Sequence, residues 1–366
     1  MPSVERVLMT GDTVGGVWTF ASELARALGN HGIEVMLATM GGDPTGDQEA
    51  EAASIPNLRL ETSRYKLEWM DDPWDDVEES GRWLLDLERQ FAPDLVHLNS
   101  YGHAALHWQA PVLLTVHSCV LSWWAAVKSD PIPAKWDRYR CEVECSVKAA
   151  DLVAAPSRAM LRTVEENYGS DLPACRVVAN GRSGSRYQAG KKEPFILTAG
   201  RLWDEAKNVA AVARVAAGLP WPVYVAGDNR HPNGSSIDLP GCRPLGRLPA
   251  DALADWYSRA SIYALPARYE PFGLSAVEAA LSGCALVLGD IESLREIWGD
   301  AAVFVPPGDE AQLEAALNGL IADESMRREM ARRGSRRARS FTPERMARGY
   351  TDAYGWLAAR RVACAS

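Results

Sequence analysis

The stretch ARYEPFGLSAVEAALSG, residues 267–283, carries two carboxylates, Glu270 and Glu278, on either side of a Pro-Phe-Gly turn. A short apolar run precedes it, so the pattern predicts a buried strand that feeds a helix. Ser275 followed three residues later by Glu278 is typical of a capping box, which predicts a helix from Ser275 to Gly283. Glu270 would then lie in the loop, and both carboxylates could face one cleft at the helix N-terminus. The unpaired backbone N–H groups of that terminus suit a phosphate. Taken alone, the pattern also allows Glu278 to be only a cap and Glu270 only a surface acid.

Strand-like and helix-like segments alternate on both sides of this stretch. Such alternation predicts parallel sheets that are covered by helices on both faces. A segment rich in glycine, serine and charge, residues 180–192, interrupts it once. We therefore expect an α/β protein of two doubly wound halves, with ligands at the carboxyl ends of the strands. Strands are predicted at 4–10, 33–38, 95–98, 112–116, 152–155, 176–178, 195–198, 223–226, 262–265, 285–288 and 303–305, and helices at 18–28, 83–91, 142–150, 209–217, 252–258, 292–297, 310–321 and from 344 onward.

A second motif, GRLWDEAKN at residues 200–208, directly follows the first predicted strand of the second half. Gly200 allows a tight backbone turn at the strand end. Arg201 and Lys207 lie six positions apart across a loop that enters a helix, so both can approach one dianion. Two exposed cations without a ligand are the plain alternative. The position directly after a strand favours a diphosphate clamp.

The first half contains two weaker candidates for ligand contact. His117 follows the buried run at 113–116, at the edge where ligands are expected; a purely structural histidine is the alternative. Gly15 and Gly16 open the first predicted helix, where the backbone can approach a ligand closely, although a simple strand–helix turn would use the same residues.

Composition and charge exclude several classes of protein. The chain has 366 residues, 47% hydrophobic and 24% charged, which is ordinary for a globular protein of two domains. Residues 1–180 carry a net charge of −12 and the remainder +3, so the first half should repel nucleic acid and anionic lipid. Seven arginines at 327–339 lack interleaved aromatic residues and fit a solvated helix face better than a nucleic-acid site.

The sequence also lacks the usual targeting and metal-binding patterns. No apolar run is long enough to span a bilayer and the N-terminus shows no leader pattern, so we expect a cytoplasmic protein without membrane association. The seven cysteines are scattered and predicted to be reduced thiols. No Asp-x-Asp motif occurs, which removes the usual grip on a metal–diphosphate pair, and we expect no metal. The acidic stretch around residues 71–76 is expected to be a solvated loop.

The two motifs together resemble those of the family 4 retaining glycosyltransferases. The E-x(7)-E spacing of Glu270 and Glu278 with Pro-Phe-Gly-Leu between them is similar to that family's motif, and so is the Gly-Arg…Lys-Asn run. Modest matches at 178–181, 245–248 and 306–309 keep the family's order, so the resemblance covers nearly the whole chain. The histidine is followed by Ser118, where the family often has Asp.

The resemblance implies a GT-B fold of two Rossmann-like domains that face a central cleft. The implied division is an acceptor-side domain at 1–182, a nucleotide-sugar domain at 183–343 and a C-terminal helix at 344–366 that crosses back to the first domain. It also implies which residues hold the donor or act on it. The implied donor contacts are Gly15, Gly16, Gly200, Arg201, Lys207, Leu245, Gly246, Leu248, Glu270, Phe272, Gly273, Leu274 and Glu278, and the implied catalytic residues are Arg201, Lys207, Glu270 and His117.

In the implied reaction a hexosyl group moves from a UDP-, GDP- or ADP-sugar to a hydroxyl of a saccharide or small molecule. Attack on the same face, without a metal, fits the family's behaviour. Two alternatives stay open at this point. A sugar-nucleotide epimerase or phosphorylase would use many of the same phosphate contacts, and a non-catalytic sugar-nucleotide-binding protein would keep the fold but lose the clamp.

Overall fold

A computed structural model describes residues 4–229 and 236–365, without the side chains of 362–365. Chain contacts divide it into two compact units. The first unit holds the chain up to Trp124, Asp130–Gly181 and the segment from Pro343 onward, and the second holds Ala125–Ser129 and Arg182–Thr342. Each unit contains one parallel sheet, so the predicted α/β architecture of two sheets is confirmed.

The sheet of the first unit has seven strands in the order β3-β2-β1-β4-β5-β6-β7, all parallel. The order reverses direction between β1 and β4, and such a switch point is where open α/β sheets bind ligands. The strands are β1 Arg6–Asp12, β2 Glu34–Met40, β3 Leu58–Thr62, β4 Leu95–Leu98, β5 Val112–Thr115, β6 Leu152–Ala155 and β7 Ala174–Val177.

The sheet of the second unit has six parallel strands in the order β10-β9-β8-β11-β12-β13. Its switch point lies between β8 and β11, which carry the two sequence motifs at their carboxyl ends. The strands are β8 Glu193–Ala199, β9 Val223–Ala226, β10 Cys242–Gly246, β11 Ala260–Leu265, β12 Ala285–Gly289 and β13 Val303–Val305.

Helices connect the strands of each sheet. They are α1 Gly16–Gly29, α2 Gly46–Ala53, α3 Trp74–Phe91, α4 Val120–Val127, α5 Asp137–Ala149, α6 Arg158–Tyr168, α7 Val209–Ala216, α8 Ala250–Arg259, α9 Leu274–Leu281, α10 Glu292–Trp298, α11 Glu310–Ala322, α12 Glu324–Ala338 and α13 Pro343–Ala365. Short 3₁₀ turns occupy Ala134–Trp136 and Glu205–Lys207. Among the described residues, no helix combines the length and apolarity that crossing a membrane requires.

One expected loop is helical. Helix α3 begins at Trp74, so Asp75 and Asp76 of the acidic stretch form its first turn rather than a loop. Acidic side chains are favourable at a helix N-terminus because they face the positive end of the helix dipole. Strands β3 and β10 and helices α2, α4 and α6 were not predicted from the sequence.

The C-terminal helix α13 packs into the core of the first unit. Met346, Tyr350 and Tyr354 are fully buried there with residues of α1 such as Phe20. The Tyr354 hydroxyl lies 2.7 Å from His97 Nδ1 of β4. The other His97 nitrogen, Nε2, lies 2.7 Å from Thr115 Oγ1, which in turn lies 3.2 Å from the Tyr350 hydroxyl. The helix is therefore held by apolar burial and by a polar chain that satisfies both nitrogens of a buried histidine.

At the carboxyl ends of the second unit's central strands, backbones approach more closely than side chains would allow. Gly227, just after β9, has φ +140°. A Cβ placed on it would lie 1.8 Å from the carbonyl oxygen of Gly200, just after β8. The Gly227 N–H donates to the carbonyl of Gly246 at the end of β10, at 2.8 Å. Three adjacent strand ends therefore meet through glycine backbone.

Acidification should destabilise the first unit through its buried histidines. Burial lowers the pKa of His97 well below its ordinary value and that of His103 to about 4. In the unfolded chain these histidines take up protons near pH 6.5, whereas in the folded chain they stay neutral to lower pH. The free energy of unfolding therefore falls as the pH drops below 6.5. From pH 7.5 to 5.5 each histidine should remove about 1.4 kcal/mol from the free energy of unfolding, measured by urea titration. His103→Gln, which cannot take up a proton, should flatten this dependence by its share; an unchanged slope would contradict the assignment.

The close approach at Gly227 should not tolerate a methyl group. Gly227→Ala should cost about 3 kcal/mol, because the Cβ would overlap the Gly200 carbonyl and the backbone dihedral disfavours L-residues. The matched control is Gly319→Ala inside α11, where the added Cβ would meet no described atom within 4 Å other than its chain neighbours and the backbone of its own helix. That variant should gain about 0.5–1 kcal/mol from helix propensity. Thermal melts that rank the two variants equally would show that the strand ends can separate.

Candidate functional site

The two motifs meet through an ion pair in the second unit. Lys207 Nζ lies 2.5 Å from Glu270 Oε2, with side-chain exposures of 17% and 12%. The backbone joins the same loops, since the N–H of Arg268 donates to the carbonyl of Ala206 at 2.8 Å. Because β8 and β11 are neighbours in the sheet, the loops that follow them lie at one edge. This places the predicted lysine and one predicted glutamate in direct contact.

Asn208, the residue after the lysine, holds the loop that follows β8 through hydrogen bonds of its side chain. It has a left-handed backbone conformation with φ +56° and is buried. Its side-chain amide donates to the carbonyls of Pro266 at 2.9 Å and Pro307 at 2.8 Å. The asparagine therefore ties the start of α7 to the chain after β11 and after β13.

Arg201 is held by a residue that the sequence analysis did not assign. Arg201 Nη2 donates to Asp204 Oδ2 at 3.1 Å, and the guanidinium lies over the Trp203 ring at 5.5 Å. Asp204 is 5% exposed, and its Oδ1 accepts the N–H of Ala206 at 3.0 Å. The arginine side chain remains 41% exposed, so it is oriented but still accessible to a ligand.

The start of α9 differs from the capping-box prediction. The N-cap is Gly273, in the left-handed conformation with φ +87° and without a side-chain cap, and the helix begins at Leu274. The Ser275 hydroxyl instead lies 2.8 Å from the Tyr263 hydroxyl, within hydrogen-bond distance. The prediction was wrong because a left-handed glycine starts the helix two residues before the expected cap. The Phe272 N–H donates to Glu270 Oε1 at 3.4 Å, so the turn folds back onto the loop carboxylate.

Glu278 does not cap the helix either. Its Oε1 accepts from Arg182 Nε at 2.8 Å, and the two side chains are 10% and 8% exposed. Arg182 also donates from Nη2 to the Tyr187 hydroxyl at 2.6 Å. The second motif carboxylate is therefore buried and paired with a cation from the segment that follows β7.

Tyr263 shows that the two glutamates share one neighbourhood. Its hydroxyl donates to the Ala199 carbonyl at the end of β8, at 3.1 Å, as well as contacting Ser275. Burial raises the pKa of Tyr263, and the negative charges of Glu278 and Glu270 add to the effect. Leu245 and Gly246 lie at the end of edge strand β10, and Leu248 lies in the short loop between β10 and α8.

In the first unit, the predicted glycine loop lies at the switch point. Gly15 is the N-cap of α1 in extended conformation and Gly16 its first residue. The N–H groups of Val14 and Gly15 donate to Asp12 Oδ1 at 3.1 and 2.9 Å. A carboxylate at the end of β1 thus orders the loop, and no side chain of Gly15 or Gly16 covers the helix start.

His117 lies two residues beyond β5 and is held from one side. Its Nε2 lies 2.8 Å from Asn99 Oδ1, and the Asn99 amide nitrogen donates to the Thr10 carbonyl at 2.7 Å. Phe20 packs edge-on against the imidazole at 4.5 Å between ring centres. Burial lowers the pKa of His117 to about 3, so the ring is neutral near pH 7. Nε2 therefore carries the proton toward Asn99, and Nδ1 is the hydrogen-bond acceptor.

Glu68 is a buried carboxyl at the same switch point that the sequence analysis missed. Oε1 accepts the Tyr101 N–H at 3.1 Å, just after β4. Within the described part of the chain, Oε2 has no hydrogen-bond partner. Burial raises the pKa of Glu68, and the nearby charge of Asp12 adds to this. Only the fold could reveal this residue, because an isolated Glu before Trp69 carries no motif.

Across residues 4–229 and 236–365, no group of three or more His, Cys, Asp or Glu side chains is arranged to hold a metal ion.

Comparison with known proteins supplies the family. The model described as Glycosyltransferase Family 4 matches residues 14–183, and that described as Glycosyl transferases group 1 matches residues 193–323. The chain is 28% identical over 302 residues to a glycogen synthase of Mycobacterium tuberculosis, covering 76% of this chain and 72% of the synthase. It is 26% identical to a D-inositol 3-phosphate glycosyltransferase of Xylanimonas cellulosilytica, covering 97% of this chain and 94% of that protein.

Solved structures share the fold at low identity. Sucrose-phosphate synthase of Thermosynechococcus elongatus has a TM-score of 0.79 at 18% identity, covering 99% of this chain and 100% of that one. HepE of Anabaena, solved with UDP-glucose, has a TM-score of 0.75 at 15% identity, covering 96% and 99%. The two family models cover six of the seven strands of the first sheet and all six of the second, with the motifs in order, and the chain belongs to the group 1 glycosyltransferases of family 4, which have the GT-B fold.

Proposed function

We propose that this glycosyltransferase transfers a hexosyl group, with retention of configuration and without a metal, from a nucleotide-diphosphate sugar to a hydroxyl acceptor. The observation that carries the proposal is the 2.5 Å contact between Lys207 and Glu270, which joins the cationic loop to the loop of the paired glutamates. The fold relative HepE, solved with UDP-glucose, supports a donor of this class.

The donor diphosphate is assigned to the switch point of the second sheet. Arg201 is exposed enough to contact a ligand, and Lys207 forms an ion pair with Glu270. The N-terminus of α9 adds the N–H groups that follow Gly273, and these favour an anion. Leaving-group charge grows on the β-phosphate as the glycosidic bond breaks, so preorganised cations lower that barrier.

The two glutamates are assigned to the neutral, hydroxylated parts of the donor. A carboxylate is an acceptor-only group at neutral pH, which suits sugar and ribose hydroxyls. Glu270 lies beside Lys207 and is assigned to the transferred sugar. Glu278 is assigned to the ribose. Leu245, Gly246 and Leu248 are assigned to the base through their backbone, and Phe272–Leu274 to the sugar and phosphate.

His117 is assigned a hydrogen bond to a hydroxyl of the transferred sugar. Its neutral state and its Nε2–H bond to Asn99 leave Nδ1 as an acceptor, so the ring can orient a hydroxyl without supplying a proton. This role rests on the resemblance to the family, and Gly15 and Gly16 are assigned on the same ground to the sugar-phosphate and the acceptor.

The proposed chemistry is substitution on one face of the sugar. The bond between C1 and the β-phosphate oxygen breaks with its electron pair on the phosphate, and the acceptor oxygen bonds to C1 from the same side. The acceptor proton passes to the departing phosphate oxygen. The acceptor is proposed to be a saccharide or small molecule rather than a phospholipid, since the acidic stretch at residues 68–79 repels anionic head groups.

Removing the lysine should abolish most turnover. Lys207→Ala should lower kcat/KM by about 10²–10³, because one preorganised cation is lost from the leaving group. The assay follows nucleoside diphosphate release from UDP-, GDP- and ADP-sugars with a panel of saccharide acceptors. Lys191→Ala, at an exposed lysine of the same unit, is the control and should keep full activity. Wild-type turnover in a folded Lys207→Ala protein would eliminate the clamp.

Retention and metal independence are tested on the product. An α-linked donor should give an α-linked product, read from the anomeric proton coupling by NMR. Excess EDTA should leave the rate unchanged, because the cationic side chains take the part of a metal. A β-linked product would refute retention, and loss of activity that Mg²⁺ or Mn²⁺ restores would refute metal independence. Consumption of nucleotide sugar without any acceptor product would favour an epimerase or phosphorylase.

A further inference from the structure

Among the described ion pairs of the second unit, the most heavily buried one connects the segment after β7 to Glu278. Arg182 Nε lies 2.8 Å from Glu278 Oε1, and both side chains are at most 10% exposed. Other described ion pairs of this unit are mostly solvent-exposed, such as Arg186 with Asp251 at 42% and 89%. A buried charge pair of this kind seldom stabilises a fold more than apolar residues of the same volume would. Its presence beside a proposed donor contact therefore suggests a task other than stability.

The backbone of Arg182 is anchored without help from its side chain. The Arg182 N–H donates to the carbonyl of Phe341 at 2.9 Å. This backbone bond does not depend on which side chain other than proline stands at position 182. The guanidinium is directed at Glu278 and Tyr187.

Tyr187 completes the arrangement around the carboxylate. Its hydroxyl accepts from Arg182 Nη2 at 2.6 Å and is hydrogen-bonded to Glu278. Burial, with the negative charge of Glu278, raises the pKa of Tyr187, so the phenol stays a donor. Its ring packs edge-on against Tyr257, at 6.2 Å between ring centres. Glu278 is therefore oriented by two partners, one charged and one neutral.

We infer that Arg182 is a positioning residue, which with Tyr187 holds Glu278 in the orientation that recognises the ribose hydroxyls of a nucleoside diphosphate. A carboxylate has about four acceptor positions. Arg182 and Tyr187 occupy two of them, and two remain for the 2′- and 3′-hydroxyls. The guanidinium also compensates the carboxylate charge, which would otherwise repel the diphosphate. This inference rests on the proposed function and deepens it.

The test compares ribose with deoxyribose. Isothermal titration measures the affinity of UDP, GDP and ADP for the full-length protein, and then of the 2′- and 3′-deoxy forms of the tightest binder. The wild type should prefer the ribonucleotide by about tenfold or more, as expected for a lost hydrogen bond to a charged group. R182Q and R182K should lose most of this preference, through weaker binding of the ribonucleotide and nearly unchanged binding of the deoxynucleotides. Arg186→Gln, on the same segment but in an exposed ion pair, should retain it.

The outcomes distinguish failure of the proposed function from failure of the role proposed for Arg182. If the wild type binds no nucleoside diphosphate, the proposed function fails together with the inference. If it binds the nucleotides but does not discriminate ribose, or if folded R182K and R182Q discriminate as the wild type does, the inference alone is overturned. Circular dichroism checks the fold. Should R182Q fail to fold, R182K and Tyr187→Phe decide the matter, since each keeps the volume of the side chain while changing the hydrogen bonds to Glu278.

Discussion

The ion pair between Lys207 and Glu270 is the contact on which the second unit's site depends. It joins two loops that are more than sixty residues apart in the sequence but follow adjacent strands, β8 and β11. Parallel pairing places those strand ends at one edge, and the switch in strand order leaves the crevice open between them. The loop after β8 is also held to the chain after β11 by hydrogen bonds, from the Asn208 side chain to the Pro266 carbonyl and from the Arg268 N–H to the Ala206 carbonyl. The side chains of the candidate site are consequently held by backbone and amide groups of the same loops.

The same edge is built from backbone wherever a side chain would obstruct it. Gly200, Gly227 and Gly246 end three neighbouring strands, and the contact between the first two leaves no room for a Cβ. Gly273 starts α9 in a conformation that few other residues adopt, and this turns the first N–H groups of the helix toward the loop of Glu270. Cations, carboxylates and backbone donors therefore share a small region. Asp204 beside Arg201 and Arg182 beside Glu278 balance the charges of these side chains.

The first unit buries polar groups beneath the carboxyl edge of its sheet. His97 has partners at both nitrogens, supplied in part by Tyr354 of the C-terminal helix. The Phe20 ring lies edge-on to His97, His117 and Tyr350. One ring therefore packs against both histidines and against helix α13, which carries Tyr350. Burial keeps these histidines neutral, which makes them hydrogen-bonding groups rather than charges. The last helix is thus part of this unit's core although it is the farthest segment in the sequence.

Local pattern was sufficient to predict the alternation of strands and helices, the bounds of strands such as Leu95–Leu98 and Val223–Ala226, and the two motifs at strand ends. These features depend on apolar periodicity and on residues close together in the chain. Local pattern failed where a neighbour in space takes over a side chain: Ser275 pairs with Tyr263 and Glu278 with Arg182, so the expected capping box does not form. Asp204, Glu68 and Asn99 carry no motif, and only the fold shows which groups lie against them. The sequence by itself determined the alternation of strands and helices and the position of the two motifs after a strand, whereas the tertiary structure decided the partners of the motif side chains, because burial and hydrogen bonding between distant strand ends cannot be read from spacing along one chain.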